Sequence, residues 1–181
     1  MLAGFREDVV QNLPHLYNFA RRLAGNRSFA DDLVQETILR AFTHADQFRP
    51  GTNLRAWLMT ILRNAYFNEK RRTRRLADFD PELSATLSAP HGEQDGRLLV
   101  REVACRFAVL PAVQREALIL VGANGYSYDD AAKIAGCAIG TMKSRVSRAR
   151  LQLQNLMENS KVEDGRVMFP INDLDQRKRA A

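Results

Sequence analysis

The sequence predicts an all-α protein built as two small helical domains joined by a flexible linker. Three observations carry this expectation. Apolar residues recur at spacings of three and four through residues 5–75 and again through 97–158. No stretch of useful length alternates apolar and polar residues as a strand would. Between the two blocks, residues 76–96 open with LADFDPELSATLSAPHGEQD, where prolines, small residues and acids leave no period.

In the first block, Val9, Leu13, Leu16, Ala20 and Leu23 form one helical stripe, with a kink or restart expected at Asn12-Leu13-Pro14. Gly25-Asn26 ends it. Ser28 and Asp31 are expected to cap a second helix, whose Leu33, Val34, Ile38, Ala41 and Phe42 face inward. Phe48-Arg49-Pro50-Gly51 reads as a turn. Thr52 or Asn53 then starts a third helix, with Leu54, Trp57, Leu58, Ile61, Leu62 and Ala65 on its apolar side. In the second block, Leu99, Val103, Phe107 and Leu110 form a stripe that stops at Pro111. A helix is expected from Ala112 to Val121, ending at Gly122 or Asn124-Gly125.

Residues 125–150, GYSYDDAAKIAGCAIGTMKSRVSRAR, read as a helix-turn-helix. Ser127 caps the first helix, with Asp130 three residues later. Ala131, Ala132 and Ile134 give it a small packing face, and Gly136 supplies a left-handed end. The second helix starts near Ile139 and buries Ile139, Met142, Val146, Ala149 and Leu153. Its other face carries Thr141, Lys143, Ser144, Arg145, Ser147, Arg148 and Arg150 and no acid. That composition suits phosphate oxygens and base edges. The tail, 159–181, has mixed charge and one apolar patch, Val167-Met168-Phe169-Pro170-Ile171, and is expected to be disordered.

Composition points the same way. The 181 residues carry a formal net charge of +6, which favours a polyanionic partner, nucleic acid before membrane. The charge is unevenly placed: from Phe48 to Arg75 the only acid is Glu69, whereas 76–97 is acid-rich. The two cysteines, Cys105 and Cys137, form no CxxC pair and are expected as buried thiols in a reducing cytoplasm. No apolar run approaches the length of a membrane helix, and MLAGFREDVV does not resemble a signal peptide, so no membrane insertion is expected. There is no Walker A loop, no GxGxxG and no HExxH. His15, His44 and His91 match no metal spacing, and no catalytic set stands out. Neither an enzyme nor a cofactor is expected.

The motifs together resemble the extracytoplasmic-function sigma factors of bacterial RNA polymerase. The likeness lies in DDLVQET at 31–37, NLRAWLMTILRN at 53–64, LPAVQREALIL, and the GTMKSRVSRAR helix, in that order along one short chain. REALILVGANGYSY more faintly resembles the alphaproteobacterial general-stress members. One departure is Cys137-Ala138 before the last helix, where many relatives carry proline or serine.

The resemblance implies a promoter-specificity subunit whose partners are core RNA polymerase, promoter DNA and an anti-sigma factor. It makes the first block a region 2-like domain and the second a region 4-like domain. It implies that Asp32, Gln35 and Glu36 dock core polymerase. It further implies that Asn64 reads a flipped base of the minus-ten element, with Arg63, Asn68, Lys70, Arg71 and Arg72 as its neighbours. The last helix would read the minus-thirty-five element. An amide suits a flipped base because it both donates and accepts. Opposite charge between the acidic linker and the two basic faces is compatible with a closed free chain whose DNA faces are hidden, and the sequence leaves closed and open forms both available. A sigma-like decoy that sequesters an anti-sigma factor, and a stand-alone helix-turn-helix regulator, are the alternatives. The decoy usually comes with a receiver domain, for which this length leaves no room. The stand-alone regulator leaves the first block's acidic rim and basic helix unexplained.

Overall fold

The structure, a computed structural model, describes residues 2–79 and 105–158. The helix α1 spans Leu2–Ala24 and does not restart at Pro14. A proline inside a helix removes one donor, here the one that would reach the Val10 carbonyl. Both Pro14 and Val10 are exposed, so water can satisfy that carbonyl. Gly25, at φ +70°, ends α1 as expected. The helix α2, Arg27–Thr43, is capped by Asn26, whose side chain accepts from the Phe29 N–H at 3.2 Å. The cap therefore lies two residues before the expected Ser28, because Asn26 already follows the glycine that breaks α1. Along α2, Leu33, Val34 and Ala41 are buried as expected, but Phe42 is 41% exposed.

A 3-10 turn, Ala45–Gln47, and a bend at Gly51 (φ +83°) lead to α3, Leu54–Phe79. Asn53 caps it, accepting from the Ala56 N–H at 3.0 Å. Leu58, Met59, Leu62 and Tyr66 are wholly buried, and α3 runs four residues past the expected end of the first block at 75. Residues 80–104 and 159–181 lie outside the described residues. The expectations about the acidic linker, the Leu99–Val103 stripe and the tail fall there.

The second domain opens with a helical turn over 105–109 and a buried Leu110. The helix α4, Ala112–Leu118, passes into a π turn, Ile119–Ala123, rather than staying α-helical to Val121. The Asn124 N–H reaches back to the Ile119 carbonyl at 2.8 Å, and this wider turn re-aims the chain before the next helix. The helix α5, Tyr128–Ala135, starts at Ser127, whose Oγ accepts from the Asp130 N–H at 3.0 Å and donates to the Asp130 carboxylate at 2.7 Å. It ends at Gly136 (φ +60°), where the Cys137 N–H closes on the Ala132 carbonyl at 3.0 Å. The helix α6, Ile139–Glu158, buries Met142, Val146 and Ala149 against the rest of its domain, while Ile139 stays exposed. Both cysteines are half-buried rather than buried.

The two domains are not separate bodies. α5 packs on α3, and α4 with its π turn packs on α1. One apolar core runs from Val9, Leu16 and Leu62 through to Ala117, Leu120, Ile134 and Val146.

Candidate functional site

The outward face of α6 follows from its buried stripe. With Met142, Val146 and Ala149 inside, Thr141, Lys143, Ser147, Arg148 and Arg150 are exposed. Ser144 is half-buried, its hydroxyl donating to the Thr141 carbonyl at 2.9 Å. Lys143, Arg148 and Arg150 make no ion pair among the described residues, so their charge is free for an incoming polyanion. Arg145 differs. It is half-buried, and its Nη1 is enclosed without a hydrogen-bond partner.

On α3 the candidate residues form two neighbouring stripes. Trp57, Ile61, Asn64, Asn68 and Arg71 follow one another at spacings of four and three, and Arg63, Phe67 and Lys70 run beside them. Both amides are held by arginines: Arg63 Nη1 donates to Asn64 Oδ1 at 3.1 Å, and Arg71 Nη2 to Asn68 Oδ1 at 2.7 Å. Each exposed amide therefore has its oxygen engaged and its NH2 free. Lys70 lies 6.0 Å from the ring centres of Phe29 and Tyr66, and Arg72 pairs with Glu69 at 2.9 Å. Trp57 is half-buried in an aromatic group with Phe48 (5.4 Å) and Phe5 (6.3 Å).

On α2, Asp32 and Gln35 are exposed and Glu36 is half-exposed, held by Arg40 at 2.6 Å. Leu33 and Val34, beside this rim in the sequence, are buried and cannot form its apolar centre. The exposed apolar residues are Leu39 at 63% and Phe42, which sequence reasoning missed. Their signal was present: Asp32, Gln35, Leu39 and Phe42 fall at spacings of three, four and three, one continuous stripe.

Residues 9–76 match the family model for Sigma-70 region 2, and residues 101–153 match that for Sigma-70, region 4. The ECF RNA polymerase sigma factor EcfG of Rhodopseudomonas palustris (strain TIE-1) is 50% identical over 162 residues, covering 89% of each chain. The chain belongs to the ECF family of RNA polymerase sigma factors. This ECF sigma factor binds core RNA polymerase and directs promoter-specific transcription initiation. Such proteins are transcription regulators. Among solved structures, the sigma factor RpoE of Bartonella quintana in complex with the anti-sigma factor NepR is similar at TM-score 0.74 and 42% identity, covering 87% of this chain and 99% of that one. CnrH in complex with the cytosolic domain of CnrY is similar at TM-score 0.64 and 27% identity, covering 88% and 92%. No described helix is long and apolar enough to cross a membrane.

In this sigma factor α3 of region 2 and α4 of region 4 meet at a charged seam. Arg63 Nε of α3 pairs with Glu116 Oε1 of α4 at 2.7 Å, with the Glu116 side chain fully buried and that of Arg63 19% exposed. Burial pushes the Glu116 carboxyl up, against the lowering pull of Arg63 and of Arg145. Nearby, the Arg115 guanidinium lies beside Gly25 at the end of α1, and burial raises the Tyr66 hydroxyl despite the Arg115 charge. Arg55 of α3 sits 5.5 Å from the Tyr126 ring centre, a second cation contact across the seam. The closed packing thus engages Arg63, while the other candidate residues of α3, and those of α6 apart from the half-buried Ser144 and Arg145, stay open to solvent. Closure therefore hides the candidate DNA faces only in small part. The reason is that the domains meet through the buried stripe of α3 and through α4 and α5, not through the outer face of α6.

Proposed function

We propose that this sigma factor serves a general stress response in the cytoplasm and is restrained by an anti-sigma factor of the NepR type. The observation that carries this reading is the 42% identity, over 87% of the chain, to a sigma factor solved with NepR. The 50% identity to EcfG supports it.

The geometry supports the following residue roles. Region 2 work falls to residues 5–75 and region 4 work to 97–158, joined by 76–96. The stripe Asp32, Gln35, Leu39, Phe42, flanked by Glu36, docks core polymerase: an apolar centre with a polar rim suits a helical partner. Asn64 and Asn68 offer free amide donors to an extruded minus-ten base, and Arg63, Lys70, Arg71 and Arg72 hold the strand. Thr141, Lys143, Ser144, Arg145, Ser147, Arg148 and Arg150 contact the minus-thirty-five duplex. In this reading Arg148 and Lys143 take base edges, and Arg145 and Arg150 take phosphate.

The closed body cannot do both jobs at once. Elements about 25 base pairs apart are separated by roughly 85 Å of duplex, at about 34 Å per turn. Two packed domains of this size are about 40 Å across. Promoter engagement therefore requires the domains to part. Run-off transcription with purified core polymerase and a promoter library tests the reading, with and without a NepR-type protein. Transcripts that need this chain and disappear on adding the anti-sigma factor are expected. Transcripts indifferent to it remove the regulatory assignment. Core binding or sequestration without transcription favours a decoy.

A further inference from the structure

The apolar part of the seam favours closure, and the charged part works against it. Glu116 is fully buried, its Oε1 is bonded to Arg63, and its Oε2 has no hydrogen-bond partner. Near this one carboxylate stand Arg63 from α3, across the seam, and Arg145 from α6 of its own domain, and Arg115 precedes it in the chain. Enclosed Arg115 Nε and Arg145 Nη1 lack hydrogen-bond partners. The seam therefore encloses more positive than negative charge and leaves hydrogen-bonding capacity unused. A buried ion pair with incomplete bonding is commonly no more stable than apolar residues of the same volume, because both ions lose their hydration. In a permanent interface that is a defect. In an interface that must open it is useful, since each charge regains its hydration as the domains part.

We propose that the Arg63–Glu116 pair makes the closed free chain an autoinhibited state that is built to open. It holds region 2 to region 4 in one register and withdraws Arg63 from DNA. It also keeps the seam weaker than its apolar contacts alone would make it. The biological use of this device rests on the sigma factor reading above, but its physics does not.

The experiment uses the full free chain, without polymerase or DNA. A donor–acceptor dye pair is placed at the exposed positions Asn18 and Asn155, with both native cysteines replaced by serine. High energy transfer is expected for the parent chain. Glu116→Lys sets a third cation against Arg63 and Arg145, and is expected to raise the open-to-closed ratio about tenfold or more. The double variant Arg63→Met with Glu116→Leu is expected to stay closed and to need more urea to lose energy transfer than the parent. Circular dichroism separates opening from unfolding in the first variant, and the second decides the matter if the first fails to fold. Low transfer in the parent, unchanged transfer in Glu116→Lys, or easier opening of the double variant would each overturn the proposal. Run-off transcription by the parent is read separately. A chain that opens as described but supports no transcription keeps the latch and loses the sigma reading.

Discussion

Region 2 and region 4 of this protein present the residues proposed to bind DNA in opposite ways. On α6 the cations Lys143, Arg148 and Arg150 are unpaired and project from a helix anchored by Met142, Val146 and Ala149. On α3 the four candidate cations are already occupied: Arg63 by Glu116 and Asn64, Arg71 by Asn68, Arg72 by Glu69, and Lys70 by two aromatic rings. The difference matches the two ligands. Duplex DNA arrives rigid, so a helix need only present free donors at the right pitch. A single strand arrives flexible, so the protein must supply the order, and amides fixed by neighbouring arginines lose less freedom on binding.

The largest effect expected from this contrast falls on neither DNA face but on the surface that brings both to promoters. Leu39→Glu, charging the centre of the α2 stripe, should cost about 2–4 kcal/mol in core polymerase affinity. Titration of labelled protein with core enzyme measures it. Minus-thirty-five duplex binding by the same variant should not change, and a parallel loss there would mean a misfolded chain. Asp32→Ala, at the rim, should weaken assembly by less.

Arg148→Ala should cost about 1–3 kcal/mol and relax preference at one base position, as read from binding to a randomised duplex library. An unchanged preference would move Arg148 from base reading to phosphate holding. Asn64→Asp keeps the oxygen that Arg63 grips and deletes the amide donors. It should weaken minus-ten strand binding by about 1–3 kcal/mol while leaving duplex binding by region 4 intact. If Asn64→Asp binds the strand normally, the fixed amides serve α3 itself rather than DNA.

Smaller effects test the scaffold. Ser127→Ala removes the cap of α5 and should cost about 1 kcal/mol of stability in urea unfolding. The smallest concerns pH. The Glu116 carboxyl is raised in the closed form by burial, so the closed form binds its proton more tightly than the open form. The groups facing it are Arg63 and Tyr66 of α3, Arg115 of α4 and Arg145 of α6. Closure should therefore be favoured at acid pH and weaken as pH rises through the Glu116 value. Glu116→Gln should abolish that slope in the dye-pair measurement.

Much of this architecture was legible along the chain. The helical periods of Val9 to Leu23 and of Leu54 to Ala65, the Ser127 cap and the left-handed Gly136 each rest on interactions within a few residues. Such interactions follow from side-chain type and spacing. The acid-free face of α6 was readable for the same reason, since a buried stripe fixes what lies opposite it. Misreadings arose where a local rule met competition. Asn26 took the cap assigned to Ser28 because the chain already turned at Gly25. The Pro14 restart failed because an exposed carbonyl costs little.

What the sequence by itself determined is therefore the set of helices, the helix-turn-helix and the side chains on the outer faces of α3 and α6. Tertiary structure alone decided which of those side chains are free. Arg63 and Glu116 stand 53 positions apart, and no pattern within a helix links them. Likewise, whether Phe42 or Val34 faces solvent depends on where α1 and α3 lie, not on α2. Periodicity records one helix against an average environment, whereas an ion pair across a seam exists only once two domains have met and shed their water.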